Sequence, residues 1–200
     1  VRRPTLLHMS TRPSTVGITL DWEESGGYAK EPWYALRENY AECVTSAGGL
    51  PLMLPHEPQL ARECVARLDA LIVTGANVQG TRFEDQPFWN ELTDVFEFAA
   101  AKVTSTLCAC LATHAALKHF QGIERVHQGN KRWGVFSHRT ASSAHPLVRN
   151  INTRFNVPHS RFNDISKAQM EDAGMCVLVT SQEAGVHLAV SEDLFRFVFF

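Results

Sequence analysis

The run Thr104-Ser105-Thr106-Leu107-Cys108-Ala109-Cys110-Leu111-Ala112-Thr113-His114-Ala115-Ala116-Leu117 changes character in its middle. Thr104–Ala109 is β-prone, and Leu111–His119 carries helix-forming residues. A strand that meets a cysteine, then small residues, then a helix is the sequence form of a nucleophile elbow, in which a tight turn holds the nucleophile above the sheet edge. The helix N-terminus, with its partial positive charge, favours a thiolate at Cys110. The backbone N–H of Leu111 would face the oxygen that becomes negative in a tetrahedral intermediate. Pattern alone leaves a second reading open: Cys108 and Cys110 as small core residues, a common fate of free cysteine.

Working outward, Ala70-Leu71-Ile72-Val73-Thr74 is a continuous apolar run ended by Gly75, as expected of a parallel strand covered on both faces. Val16–Leu20 and Leu50–Leu54 read as further strands. Helical spacing predicts helices over Trp33–Ala47, ended by Gly48-Gly49, over Leu60–Leu68, and over Phe88–Ala99. After residue 120 the chain reads as strands: Trp133–His138, Arg154–Pro158, Met175–Thr180, Val186–Val190 and Phe195–Phe200. Alternating β and α followed by a strand-rich end predicts one α/β domain over 16–200, with a mostly parallel sheet flanked by helices and a ragged lead-in over 1–15.

Nineteen basic and 21 acidic residues give a net charge of -2, which argues against a basic nucleic-acid footprint. No apolar stretch approaches the roughly 18–20 residues that span a bilayer. The five cysteines are scattered, with no paired zinc spacing and no disulfide framework, so most are expected in the core of a protein from a reducing compartment. No metal is expected.

Several separate motifs resemble the homoserine O-acyltransferases of the succinyltransferase type. They are Thr104–Leu107 with Cys110, Lys131–Arg139, His145-Pro146-Leu147, Val157–Arg161, Ser181–Val186 and Leu71–Ala76. The likeness covers about residues 68–200. It implies a class I glutamine amidotransferase-like fold of flavodoxin-like topology and a ping-pong reaction. Cysteine would accept an acyl group from succinyl-CoA or acetyl-CoA as a thioester, and the hydroxyl of L-homoserine would take it in methionine biosynthesis. Acyl-CoA is then a co-substrate, and no resident cofactor is implied. Carried over by position, Cys110 is the nucleophile, while Lys131 and Ser160 bind substrate. Gln79 occupies a position tied to acyl choice, where the family has glycine in succinyl users and glutamate in acetyl users. Neutral glutamine can hydrogen-bond a succinyl carboxylate, which favours succinyl as donor and leaves acetyl open. A cytoplasmic homodimer is implied as well.

Two departures accompany this likeness. The family's base histidine and its glutamate partner sit in a Gly-His-Pro-Glu segment after the last strand, and the sequence reaches Phe200 where that segment would begin, as expected of a truncated chain or an inactive homologue. Residues 16–76, with Gly17–Asp21, Pro32–Tyr40 and Ala47–Pro51, instead resemble the γ-glutamyl-γ-aminobutyrate hydrolases, another branch of the same fold class. That branch's Gly-x-Cys-Arg-Gly nucleophile pattern is replaced here by Ala109-Cys110-Leu111-Ala112. A γ-glutamyl amide hydrolase is therefore the alternative reading.

Overall fold

The computed structural model describes residues 12–76, 78, 82–141, 144–193 and 196–200. Strands β1 (Thr15–Ile18), β4 (Leu50–Met53), β5 (Ala70–Val73) and β6 (Ser105–Cys108) are parallel, as is β11 (Phe197–Phe199) beside β6. The short β2 (Asp21–Glu23) and β3 (Trp33–Ala35) form a separate antiparallel ribbon. Strands β7 (Val126–Thr140), β8 (Arg154–Asp164), β9 (Cys176–Ser181) and β10 (Gly185–Val190) extend the main sheet with antiparallel pairings. The nine-stranded order is β4-β1-β5-β6-β11-β10-β9-β7-β8. The predicted class is thus present: a parallel half built through α/β crossovers, then an antiparallel half in which β7 pairs with β8 and β10 with both β9 and β11.

Side-chain alternation divides the core between two faces of the sheet. Phe197, Phe199, Val177 and Cys108 join the larger cluster, which includes Phe96, Ala99, Ala116 and Leu117 of helices α3 (Trp89–Lys102) and α4 (Leu111–Gln121). Val198 and Leu178, one residue out of step, join the smaller cluster with Val148, Val179 and Val190. Helix α2 (Pro58–Val65) is started by Glu57, whose carboxylate accepts from the N–H groups of Gln59 and Leu60.

Three expectations need correction. The helix predicted over Trp33–Ala47 is confined to α1 (Glu38–Ser46), because Trp33 and Tyr34 pair in the ribbon, where Tyr34 packs edge-on to Trp22. Helix α5 (Lys167–Asp172) interrupts the strand-rich end; its signal is a capping box in which the Ser166 hydroxyl accepts from Gln169 N–H and the Gln169 side chain bonds Ser166 in return. Of the five free cysteines only Cys108 is buried, while Cys64 is half-buried and Cys43, Cys110 and Cys176 are exposed. Cys43 lies on α1, whose one buried residue is Val44. The lead-in expected over 1–15 already enters β1 at Thr15, while residues 1–11, Gln79 and Phe195 lie outside the described residues.

Candidate active site

Cys110 sits between β6 and α4 with φ 53° and ψ -118°, the one non-glycine residue with positive φ among the described residues. Such a conformation stores strain of about 1–3 kcal/mol and persists only where its surroundings hold it. Four neighbours do so here. Ala109 N–H donates to Val73 O at 2.9 Å, and Cys110 N–H donates to Phe200 O at 2.9 Å. Phe200 N–H donates back to Cys108 O at 2.9 Å. The Thr113 hydroxyl lies 2.8 Å from Cys108 O and 3.0 Å from Phe200 O, and it accepts from Phe200 N–H. Strand β11, after which the resemblance places the base histidine, is thereby fastened to the elbow.

Gly75, at the end of β5, makes room for the turn. A Cβ there would stand 2.7 Å from Cys110 Cβ, 3.1 Å from Leu111 N and 3.2 Å from Ala109 O. Leu111 is the first residue of α4, so its N–H has no acceptor within the helix and is free to serve a developing oxyanion. Elbow, exposed thiol and free N–H are three of the features that nucleophilic acyl transfer uses. Cys108, two residues earlier, faces the core, and burial pushes its thiol far above the ordinary range.

Beside Cys110 opens a cavity of about 80 Å³ lined by Cys110, Thr113, His114, Arg161, Asp164 and His187, with apolar walls from Met170 and Phe199. Arg161 donates to Ala184 O and, at 3.1 Å, to Asp164 Oδ1, while Arg132 donates to Asp164 Oδ2. Burial lowers the pKa of His114 to about 4, aided by Arg125 and Arg161. Burial does the same for His187, aided by His138, His159 and Arg161, so both rings are uncharged at neutral pH. Among the described residues no side chain hydrogen-bonds the Cys110 thiol.

Lys131 and Ser160 meet neither the elbow nor this cavity. Ser160 is exposed on β8 opposite Trp133, and the next residue, Arg161, points the other way into the cavity. Lys131 is exposed on β7, with its ammonium 4.9 Å from the Trp133 ring centre and 5.7 Å from that of Phe162. A strand sends successive side chains to opposite faces, so the motif Pro158–Arg161 cannot deliver both Ser160 and Arg161 to one cavity. Sequence reasoning missed Arg161, Asp164, His114 and Gly75 as site residues, although Arg161 lies within a motif it had singled out. Among the described residues no group of three or more His, Cys, Asp or Glu is placed to hold a metal ion, and no helix is long and apolar enough to cross a membrane.

Solved structures with this architecture include a glutamine amidotransferase from Thermotoga maritima (TM-score 0.67, 13% identity, 94% of this chain and 74% of the other). Another is the glutaminase domain of Trypanosoma brucei CTPS (TM-score 0.62, 10% identity, 93% and 84%). At such identities they establish the fold alone. The Peptidase C26 family model matches residues 14–97. Curated homoserine O-succinyltransferases are far more similar in sequence. That of Methylococcus capsulatus is 59% identical over 133 residues, 66% of this chain and 38% of the relative. That of Nitrosococcus oceani is 58% identical over 132 residues, 66% and 37%. The chain thus spans less than two-fifths of the length of these relatives. The homoserine O-succinyltransferase model matches residues 59–200, which hold the elbow, the cavity and the antiparallel half of the sheet, and the chain belongs to that family.

Proposed function

We propose that the chain carries the acyl-accepting centre of a homoserine O-acyltransferase, with Cys110 as nucleophile and the Leu111 N–H as an oxyanion donor. The observation that carries this reading is the strained Cys110 elbow lying within the region matched by the homoserine O-succinyltransferase model. In the first half-reaction the Cys110 thiolate attacks the carbonyl carbon of an acyl-CoA. A C–S bond forms to Cys110, the bond to CoA breaks, and CoA leaves as its thiol after taking a proton. In the second, the hydroxyl oxygen of L-homoserine attacks the thioester, gives up its proton, and Cys110 is released as thiolate. Thiolates suit both roles, as nucleophile and as leaving group.

Succinyl-CoA and acetyl-CoA are the donors to compare, with Gln79 as the position that bears on the choice. Lys131 and Ser160, neighbours on the outer side of the β7–β8 hairpin, are read as contacts for a part of the substrate outside the cavity. The same reading takes acyl-CoA as co-substrate without a resident cofactor, the cytoplasm as its place of work and a homodimer as its assembly.

Intact mass after mixing with each acyl-CoA tests the centre. The expected result is a single acyl adduct that is absent in Cys110→Ala; an adduct persisting in that variant overturns the assignment. The Peptidase C26 match over residues 14–97 supports a second reading, hydrolysis of a γ-glutamyl amide. Turnover of γ-glutamyl substrates without acyl-CoA, combined with no adduct from either acyl-CoA, would favour it.

A further inference from the structure

Three buried side-chain polar atoms lack a hydrogen-bond partner among the described residues: Thr106 Oγ1, His114 Nδ1 and Arg161 Nε. Thr106 lies within the central strand β6. The other two belong to residues that line one cavity, the one that also contains Cys110. Buried polar atoms are nearly always bonded, so two orphans in one cavity call for a polar occupant. A cavity of about 80 Å³ exceeds the roughly 10–15 Å³ that one water needs on this measure, so the occupant can be several atoms in size.

The geometry points to this cavity as the seat of a substrate carboxylate, held by Arg161 Nε–H and His114 Nδ1–H. This rests on the acyltransferase reading only for the identity of the molecule that bears the carboxylate. Arg161 can only donate, and a neutral imidazole protonated on Nδ1 donates from that atom, so both hydrogen bonds end on an acceptor. The local charge agrees. Arg132 and Arg161 stand against the single carboxylate of Asp164, whose two oxygens already accept from Arg161, Arg132 and Ile165 N–H. While the Cys110 thiol is protonated or acylated, one positive charge is left over, matching one additional carboxylate. With both Asp164 oxygens engaged, a cationic occupant finds less to bind. The depressed pKa of His114 keeps that ring neutral, so it adds a donor without adding a second charge.

Two sources supply this chemistry: the α-carboxylate of the acceptor amino acid and the terminal carboxylate of a succinyl group. Direct binding to the full chain, followed by calorimetry or ligand-observed NMR without acyl-CoA, separates them. The probes are L-homoserine, its carboxylate-free analogue 3-amino-1-propanol, and succinate. L-homoserine binding at least ten-fold tighter than 3-amino-1-propanol, with no comparable binding of succinate, assigns the acceptor. Succinate binding, with L-homoserine no better than its analogue, assigns the acyl group. In either case Arg161→Gln and His114→Leu should each weaken the favoured probe at least ten-fold.

Arg161 also ties β8 to the carbonyls of Ala184 and Val186, so Arg161→Gln can fail to fold. His114→Leu then decides the matter, since its Nδ1 has no bond to lose. Binding unchanged in the folded variants, or no preference for either carboxylate probe, means that the cavity holds only ordered water and overturns the proposal. Because none of these readouts needs turnover, the seat can fail while the Cys110 adduct forms, and the reverse.

Discussion

A methyl group at position 75 would collide with the turn at Cys110. In Gly75→Ala the new Cβ would meet Cys110 Cβ at 2.7 Å and crowd Leu111 N at 3.1 Å, and neither belongs to a flexible side-chain end that can swing away. The expected cost is about 1–3 kcal/mol in urea unfolding, as for other overpacking, with at least a ten-fold slower Cys110 adduct because the Leu111 N–H, the proposed oxyanion donor, moves too. Wild-type adduct kinetics in this variant would show that the turn yields freely. Cys110 provides a second test. Its φ of 53° is one that glycine tolerates and alanine does not, so Cys110→Gly should be more stable than Cys110→Ala by about 1 kcal/mol, although both lack the thiol. The elbow at Cys110 was legible because strand, cysteine and helix follow one another in the chain. Gly75 was not, because its meeting with Cys110 depends on β5 and β6 lying side by side.

Between elements, the elbow depends on the clasp from β11. Thr113 is buried, and its hydroxyl bridges Cys108 O and Phe200 while taking the Phe200 N–H. Thr113→Val keeps the volume and removes this bridge. The expected loss is about 0.5–1.5 kcal/mol, the net worth of a hydrogen bond, because Cys108 O, Phe200 O and Phe200 N–H each keep a backbone partner, with faster amide exchange at Phe200 and Cys110. Unchanged exchange would show that β11 holds its place by strand pairing alone. Local chemistry also explains which elements could be read in advance. Strands β4 and β5 are short apolar runs bounded by Gly or Pro, as at Ala70–Gly75, and they were legible. The ribbon strand Trp33–Ala35 was not, since apolar spacing at Trp33, Leu36 and Tyr40 fits a helix equally well until the partner Asp21–Glu23 is known. Helix α5 is too short for periodicity to register, and only its capping box announces it. In β7 and β8 the motif residues were found, but which face each would take is set by strand register.

The folded chain also gathers histidines that the sequence keeps far apart. His138, His159 and His187 come from β7, β8 and β10, with ring centres 4.9 Å apart for His138–His159 and 5.3 Å for His138–His187. His138 is fully buried, and its Nδ1 lies 2.9 Å from Phe136 O, which can only accept. Its Nε2 then accepts the hydrogen of His159 Nε2 at 3.1 Å. Arg161 and Arg132 face His159, and Arg161 faces His187; Asp164 opposes them only in part. Burial and these charges hold both His159 and His187 near a pKa of about 4, below the ordinary 6.5 that each regains on unfolding. Between those values the unfolded chain binds more protons than the folded one, so stability rises with pH in that window. The contribution is complete above about pH 6.5 and is lost as pH falls toward 4. Urea midpoints measured at pH 7.5, 6.0, 5.0 and 4.5 should therefore fall steadily. The double variant His159→Gln/His187→Gln should show a slope shallower by up to two protons while retaining a cooperative transition. An identical slope would mean that the acid sensitivity resides elsewhere, with His114 the next residue to replace, since burial lowers its pKa to about 4 as well.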